Sequence, residues 1–305
     1  NGNPRSPGTS TSGRSDALWI DRSDPTGHTI WVGSHGGGIW KTNDISAASP
    51  VWIPVFDGMG SLGIGSICQD PVNADIFYVG TGDKTNLGDV RGGGIWKSTD
   101  HGITWNLLPS TTSFWNITKI VCDATGNVYA ATNIGGAGLR RSGDGGVSWT
   151  EITPSGLSKR IADMDISNNG TLHIYCGFSE SSTAVCGYRY TASPATVSAA
   201  AGWSNAAAPF PLSKRTVQLA VSGNVLLAMP ADDTHPNNSV TQFYRSIDGG
   251  VTWSATATTP DARFWSCLDA AINPANTNEI IFGSYNCFAT TDGGDTWIQR
   301  ADGFS

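Results

Sequence analysis

The 305-residue sequence contains no run of 18 apolar residues, so no segment is long enough to span a bilayer as a helix. It is also short of charge: 14% of residues are charged, 18 basic against 25 acidic, for a formal net charge of −7. That acidic surplus, with a pI near 5.1, argues against nucleic acid or an anionic membrane as partner. Apolar spacing of helical period is missing at any useful length, which leaves strands and turns as the building elements. None of the six cysteines (Cys68, Cys122, Cys176, Cys186, Cys267 and Cys287) lies in a Cys-x-x-Cys pair, which counts against zinc. Buried thiols, or one or two disulfides of an extracellular protein, both remain open. Asn1 rather than methionine opens the chain, as expected of a processed or excerpted polypeptide from which any signal peptide has gone.

What the chain has in quantity is glycine and tryptophan, 38 and 12 residues respectively. Together they suit many short strands joined by tight turns. Residues 1–15 are rich in Gly, Ser, Thr and Pro without periodicity and read as a strap or linker. From Asp16 onward one phrase recurs, as Ser98–Trp105 (STDHGITW), Ser142–Trp149 (SGDGGVSW), Ser246–Trp253 (SIDGGVTW) and Thr290–Trp297 (TTDGGDTW). The hydroxyls of Ser98, Ser142, Ser246 and Thr290 and the carboxylates of Asp100, Asp144, Asp248 and Asp292 are suited to bind backbone N–H groups of a tight turn. Glycine supplies the positive φ of such a turn, and Trp105, Trp149, Trp253 or Trp297 then opens the next strand over a large buried surface. With two degenerate copies ending at Trp52 and Trp203, the tryptophans recur every 44 to 54 residues, the size of a unit of four short strands. Six units follow, at about 16–56, 62–109, 114–154, 160–210, 214–259 and 264–300.

These octapeptides resemble the Asp-box, or BNR, repeat of sialidases, sortilin-type receptors and two-propeller xyloglucanases. The resemblance implies an all-β fold over residues 16–305, a single β-propeller of four-stranded antiparallel blades. Six blades are favoured and seven are the alternative. It places the boxes on the turns between third and fourth strands, on the face away from the ligand. Over most of residues 16–300 the chain is also similar to large secreted BNR-repeat surface proteins of gliding bacteria, many of them type IX secretion cargo. The phrases that carry this are Trp31–Lys41 (WVGSHGGGIWK), Tyr78–Asp83 (YVGTGD) and Gly92–Ser98 (GGGIWKS). A secreted or cell-surface location, with other domains of a larger surface protein as partners, is what that similarity implies.

In such propellers the ligand sits at the opposite rim, on the loops that open each blade and those between second and third strands. The rim candidates are then His35, Asp83, Asp89, Arg91, Trp115, Arg160, Asp232, Asp233 and Trp265. Sialidases need three arginines on a substrate carboxylate, and the family's Arg-Ile/Leu-Pro signature is missing. Xyloglucanases carry a catalytic aspartate at the position occupied by His35, and a second propeller brings the other carboxylate. No catalytic residue is assigned on this basis. The reading is a non-catalytic module that binds a glycan or protein; the alternative is a glycoside hydrolase with a carboxylate pair among Asp83, Asp89, Asp232 and Asp233. No cofactor is expected beyond a weak Ca²⁺ candidate at Asp83, Asn86 and Asp89. In Phe114-Trp115 and Phe264-Trp265 the aromatic faces suit sugar rings, although one member of each pair could instead pack between blades. Finally, a hairpin across residues 177–185 would bring Cys176 and Cys186 together as a disulfide.

Overall fold

The computed structural model describes residues 14–83, 90–134, 138–177, 185–206, 216–231, 239–240, 242–260, 262–263, 269–284 and 286–301. It is a six-bladed β-propeller with antiparallel blades and, among the described residues, one short 3-10 turn, Pro109–Thr111. The first strands are Ser15–Ile20, Ile64–Gln69, Asn116–Cys122, Ile161–Ile166, Thr216–Ser222 and Asp269–Ile272. Successive first strands pack against one another, and the remaining strands of each blade follow outward in chain order. Blade 4 is the least regular: after Gly187–Thr191 its fourth strand is reduced to a single bridge, Tyr190 to Ser204. Blade 5 carries two extra short strands, Ser239–Val240 and Ala262–Arg263.

Strand alternation explains how the blades hold together. In the second strand of blade 2 (Phe77–Thr81), Phe77 and Val79 pack toward blade 1 with Trp31, Ile39 and Trp105. Tyr78, pointing the other way, packs toward blade 3 with Ile117, Ile120 and Val128. The next blade repeats the device, with Val128 and Ala130 facing blade 2, and Tyr129 and Ala131 facing blade 4. Such strands are covered on both sides and read as continuous apolar runs instead of alternating ones. Their glycines have a packing reason: a methyl group on Gly33 would strike Ile64, and one on Gly80 would strike Ile117, each from the first strand of the following blade.

All four octapeptide copies sit between third and fourth strands, as expected. In the 98–105 copy the Ser98 hydroxyl donates to Asp100 at 2.8 Å and accepts from the Gly102 N–H at 2.8 Å. The Asp100 carboxylate then receives the N–H and hydroxyl of Thr104 at 2.8 and 2.6 Å. The Trp105 indole closes the turn on the Gly102 carbonyl at 3.0 Å. Copies at 142 and 246 repeat these bonds, indole included. The copy at 290 repeats the hydroxyl and carboxylate bonds, but the Trp297 indole nitrogen is buried without an acceptor.

The expected Cys176–Cys186 disulfide is not formed; neither residue is bridged. The register explains why. Cys176 pairs with Gly187, which puts Cys186 opposite Gly177, one position out of step. Adjacent residues of a strand point to opposite faces, so Cys176 packs among Tyr129, Met164 and Ile174, and Cys186 among Tyr188 and Leu219 on the other side of the blade.

Candidate functional site at the rim of blades 1 to 3

The rim of blades 1 to 3 gathers charge from three separate turns. Asp16 is the second residue of the first strand of blade 1, His35 follows its second strand, and Asp83 follows the second strand of blade 2. Arg14 ties them together. Its Nε and Nη2 meet the two Asp16 carboxylate oxygens at 2.7 and 3.1 Å, and Nη2 also lies 2.7 Å from His35 Nδ1 and 3.2 Å from Asp83 Oδ1. His35 Nδ1 is in turn 2.9 Å from Asp16 Oδ2. Both aspartates are buried, at 5% and 0% exposure, so their charges need this compensation. His35, expected as a rim candidate, is thus held between Arg14 and Asp16. Arg14 stands at the end of a segment that looks like linker and Asp16 at its border with the first blade, so neither was among the rim candidates. An Arg-x-Asp pair immediately before an alternating strand was the available signal.

Asp16, His35 and Asp83 also form the one group of potential metal ligands among the described residues, with ligand atoms all within 4.8 Å of one another. The Arg14 guanidinium already stands among them and supplies the positive charge a cation would bring. Of the calcium candidates, Asp83 is thus committed to Arg14, and Asn86 and Asp89 lie outside the described residues.

Beyond Asp83 the rim continues through blade 3. The Asn116 side chain donates to the Asp83 carbonyl at 3.0 Å and accepts the Gly92 N–H at 3.1 Å. Arg91 stacks its guanidinium on Trp115, 3.9 Å from the ring centroid, and Trp115 is 37% exposed. Its neighbour Phe114 is buried edge-to-face against Trp149, so the pair divides into one packing residue and one rim residue. Arg160 reaches the neighbouring turn, its Nε donating to the Asn133 carbonyl at 2.7 Å. Asp232, Asp233 and Trp265 lie outside the described residues.

Below the rim a cavity of about 570 Å³ runs along the first strands of blades 1 to 4 and 6. Asp16, Lys119, Asp165 and Asp269 bring charge to its wall. Lys119 lies 3.9 Å from Asp163, which holds the ammonium charged well above the usual lysine range. Burial pushes Asp165 up to about 6, with Lys119 pulling only partly the other way.

Residues 83–298, more than half of the chain, match the DUF6242 beta propeller domain. The chain belongs to this family. The DUF6242 propeller also resembles a xyloglucanase of Paenibacillus sp., 30% identical over 141 residues, which is 41% of this chain and 13% of the relative. A xyloglucanase of Hypocrea jecorina is 27% identical over 38% of the chain, 15% of its own length. The chain therefore spans less than a fifth of the curated relatives it matches. Among solved structures, a glycoside hydrolase family 74 enzyme of Niastella koreensis superposes with a TM-score of 0.67 at 19% identity, covering 95% of this chain and 46% of that one. YCF48 bound to a D1 peptide superposes at 0.60 and 15% identity, over 95% and 82% of the two chains. Identities this low support the shared fold alone.

Proposed function

We propose that this propeller is a non-catalytic carbohydrate-binding module that holds its ligand at the rim of blades 1 to 3. The observation that carries the reading is the Arg14 cluster. By the resemblance to xyloglucanases, His35 stands where an acid is expected, and the two nearby carboxylates, Asp16 and Asp83, are both drawn onto the Arg14 guanidinium. Their oxygens lie within 4.8 Å of each other. That is closer than the roughly 6.5–9.5 Å that an inverting pair needs to admit a water. Beside the cluster, the partly exposed Trp115 suits a sugar ring packed by its C–H face on the side of the indole that Arg91 does not cover. A secreted or cell-surface location, with further domains in the same protein, belongs to this proposal and rests on the resemblance to secreted repeat proteins.

Glycoside hydrolysis is the second reading, favoured by Asp165. A carboxyl whose pKa is pushed up to about 6 inside the axial cavity still carries a proton in mildly acidic solution, as a general acid must. One pair of assays separates the readings. Titration with xyloglucan and cello-oligosaccharides should show binding that Trp115→Ala weakens roughly tenfold or more, and a reducing-sugar assay on the same polysaccharides should stay at background. Sugar release abolished by Asp165→Asn or Asp83→Asn would establish the hydrolase instead. Wild-type binding that Trp115→Ala leaves unchanged would move the site away from this rim.

A further inference from the structure

Three thiols, Cys68, Cys122 and Cys287, line the axial cavity, and two of them meet. Cys68 lies next to the end of the first strand of blade 2 (Ile64–Gln69), and Cys122 ends that of blade 3 (Asn116–Cys122). Their Sγ atoms are 3.1 Å apart. The Ser66 hydroxyl sets the register of the two strands by accepting the Ile120 N–H at 2.9 Å. Two residues further along each strand the same face recurs, which brings positions 68 and 122 opposite each other. Both sulfurs are embedded with Tyr78, Ile120 and Val128 in the core between the two blades, so neither strand is free to slide.

We propose that Cys68 and Cys122 are a modification site: a thiol pair that closes to an inter-blade disulfide when a low-molecular-weight disulfide enters the cavity as oxidant. One protein thiolate attacks the small disulfide and expels a small thiolate, leaving a mixed disulfide. The second protein thiol, once deprotonated, attacks the protein sulfur of that mixed disulfide and expels the other small thiolate. One S–S bond breaks and one forms; the protein gives up two protons and two electrons, and the oxidant is reduced to two thiols. A disulfide bond is about 2.05 Å long, so the two sulfurs need approach by only roughly 1 Å. The bridge ties together positions 54 residues apart, which restricts the unfolded chain far more than the folded one.

The test treats the full chain with excess 2-hydroxyethyl disulfide, blocks remaining thiols under denaturing conditions, and maps unreduced peptides by mass spectrometry. The expected result is a Cys68–Cys122 linked peptide, with a thermal midpoint raised by roughly 5–10 °C and restored by reduction. Cys68→Ala and Cys122→Ala should each remove that oxidant-dependent rise, and Cys287→Ala should keep it. Recovery of both residues in blocked form, a stable mixed disulfide at either, or linkage of either to another cysteine would overturn the proposal. The wild-type peptide map distinguishes these results by itself, even if an alanine variant fails to fold.

Discussion

Single side chains in this propeller are set by how their charge is met. Asp21 is buried and receives Trp31 at 2.9 Å, Gln69 at 3.1 Å and the Ser23 hydroxyl at 2.7 Å, with His101 Nε2 2.8 Å away. Burial opposes its ionisation, but the bonds from Trp31 and Ser23 outweigh it and lower its pKa to about 2. Because the folded value lies below the unfolded one, the stability Asp21 contributes is complete above about pH 4 and is lost as pH falls toward 2. Asp21→Ala should cost about 2–4 kcal/mol near neutral pH by stranding those donors. Urea denaturation from about pH 5 down to 2 should show the gap between variant and wild type narrowing. Asp165 has the opposite sign. Its folded pKa, about 6, lies above the unfolded 3.8, so its contribution weakens stability as pH rises from about 4 to 6. Asp165→Asn should remove that slope and add about 1–2 kcal/mol near neutral pH, read as a higher urea midpoint. A variant less stable than wild type there would show that Lys119 needs the Asp165 charge.

At the scale of the element, the octapeptide turn is a local structure with a long-range anchor. Ser246 is buried and serves both Asp248 and the Gly250 N–H, and Trp253 lies edge-to-face on Tyr188 of blade 4 at 5.3 Å between centroids. Ser246→Ala should therefore cost about 1–2 kcal/mol, by leaving the Gly250 N–H buried and unbonded. Trp253→Ala should cost about 2–4 kcal/mol through the space it leaves between blades. Calorimetry on both variants checks the order. A larger loss for the serine would mean the turn matters more than its anchor. The turn chemistry was legible in the sequence because each bond spans four residues or fewer. The disulfide expectation was not, since hairpin length says nothing of register, and one step of register sends Cys176 and Cys186 to opposite faces.

Across the whole molecule, stability resides between blades. Gly80 lets Ile117 of the next blade approach the second strand of blade 2, and Gly33 does the same for Ile64. Gly80→Ala should thus lower stability by about 1–3 kcal/mol through overpacking, even though alanine suits a strand better than glycine does. An unchanged thermal midpoint in Gly80→Ala would show that the blade interface can slide to make room. The same interfaces bring the rim together, since Asp16 and Asp83 come from different blades and meet only because blade 2 packs squarely on blade 1.

The sequence by itself determined the repeat of four-stranded units, with six favoured over seven, and the chemistry of their turns, because these depend on local bonds and on a period that repeats along the chain. Tertiary structure decided the rest. It placed Arg14, at the end of an apparent linker, among Asp16, His35 and Asp83, and it split Phe114 from Trp115 into packing and rim. It also set Cys68 against Cys122 rather than Cys176 against Cys186. The physical reason is common to all three. Which side chains meet across a propeller depends on the stagger between blades, and no residue pattern within one blade encodes the stagger with the next.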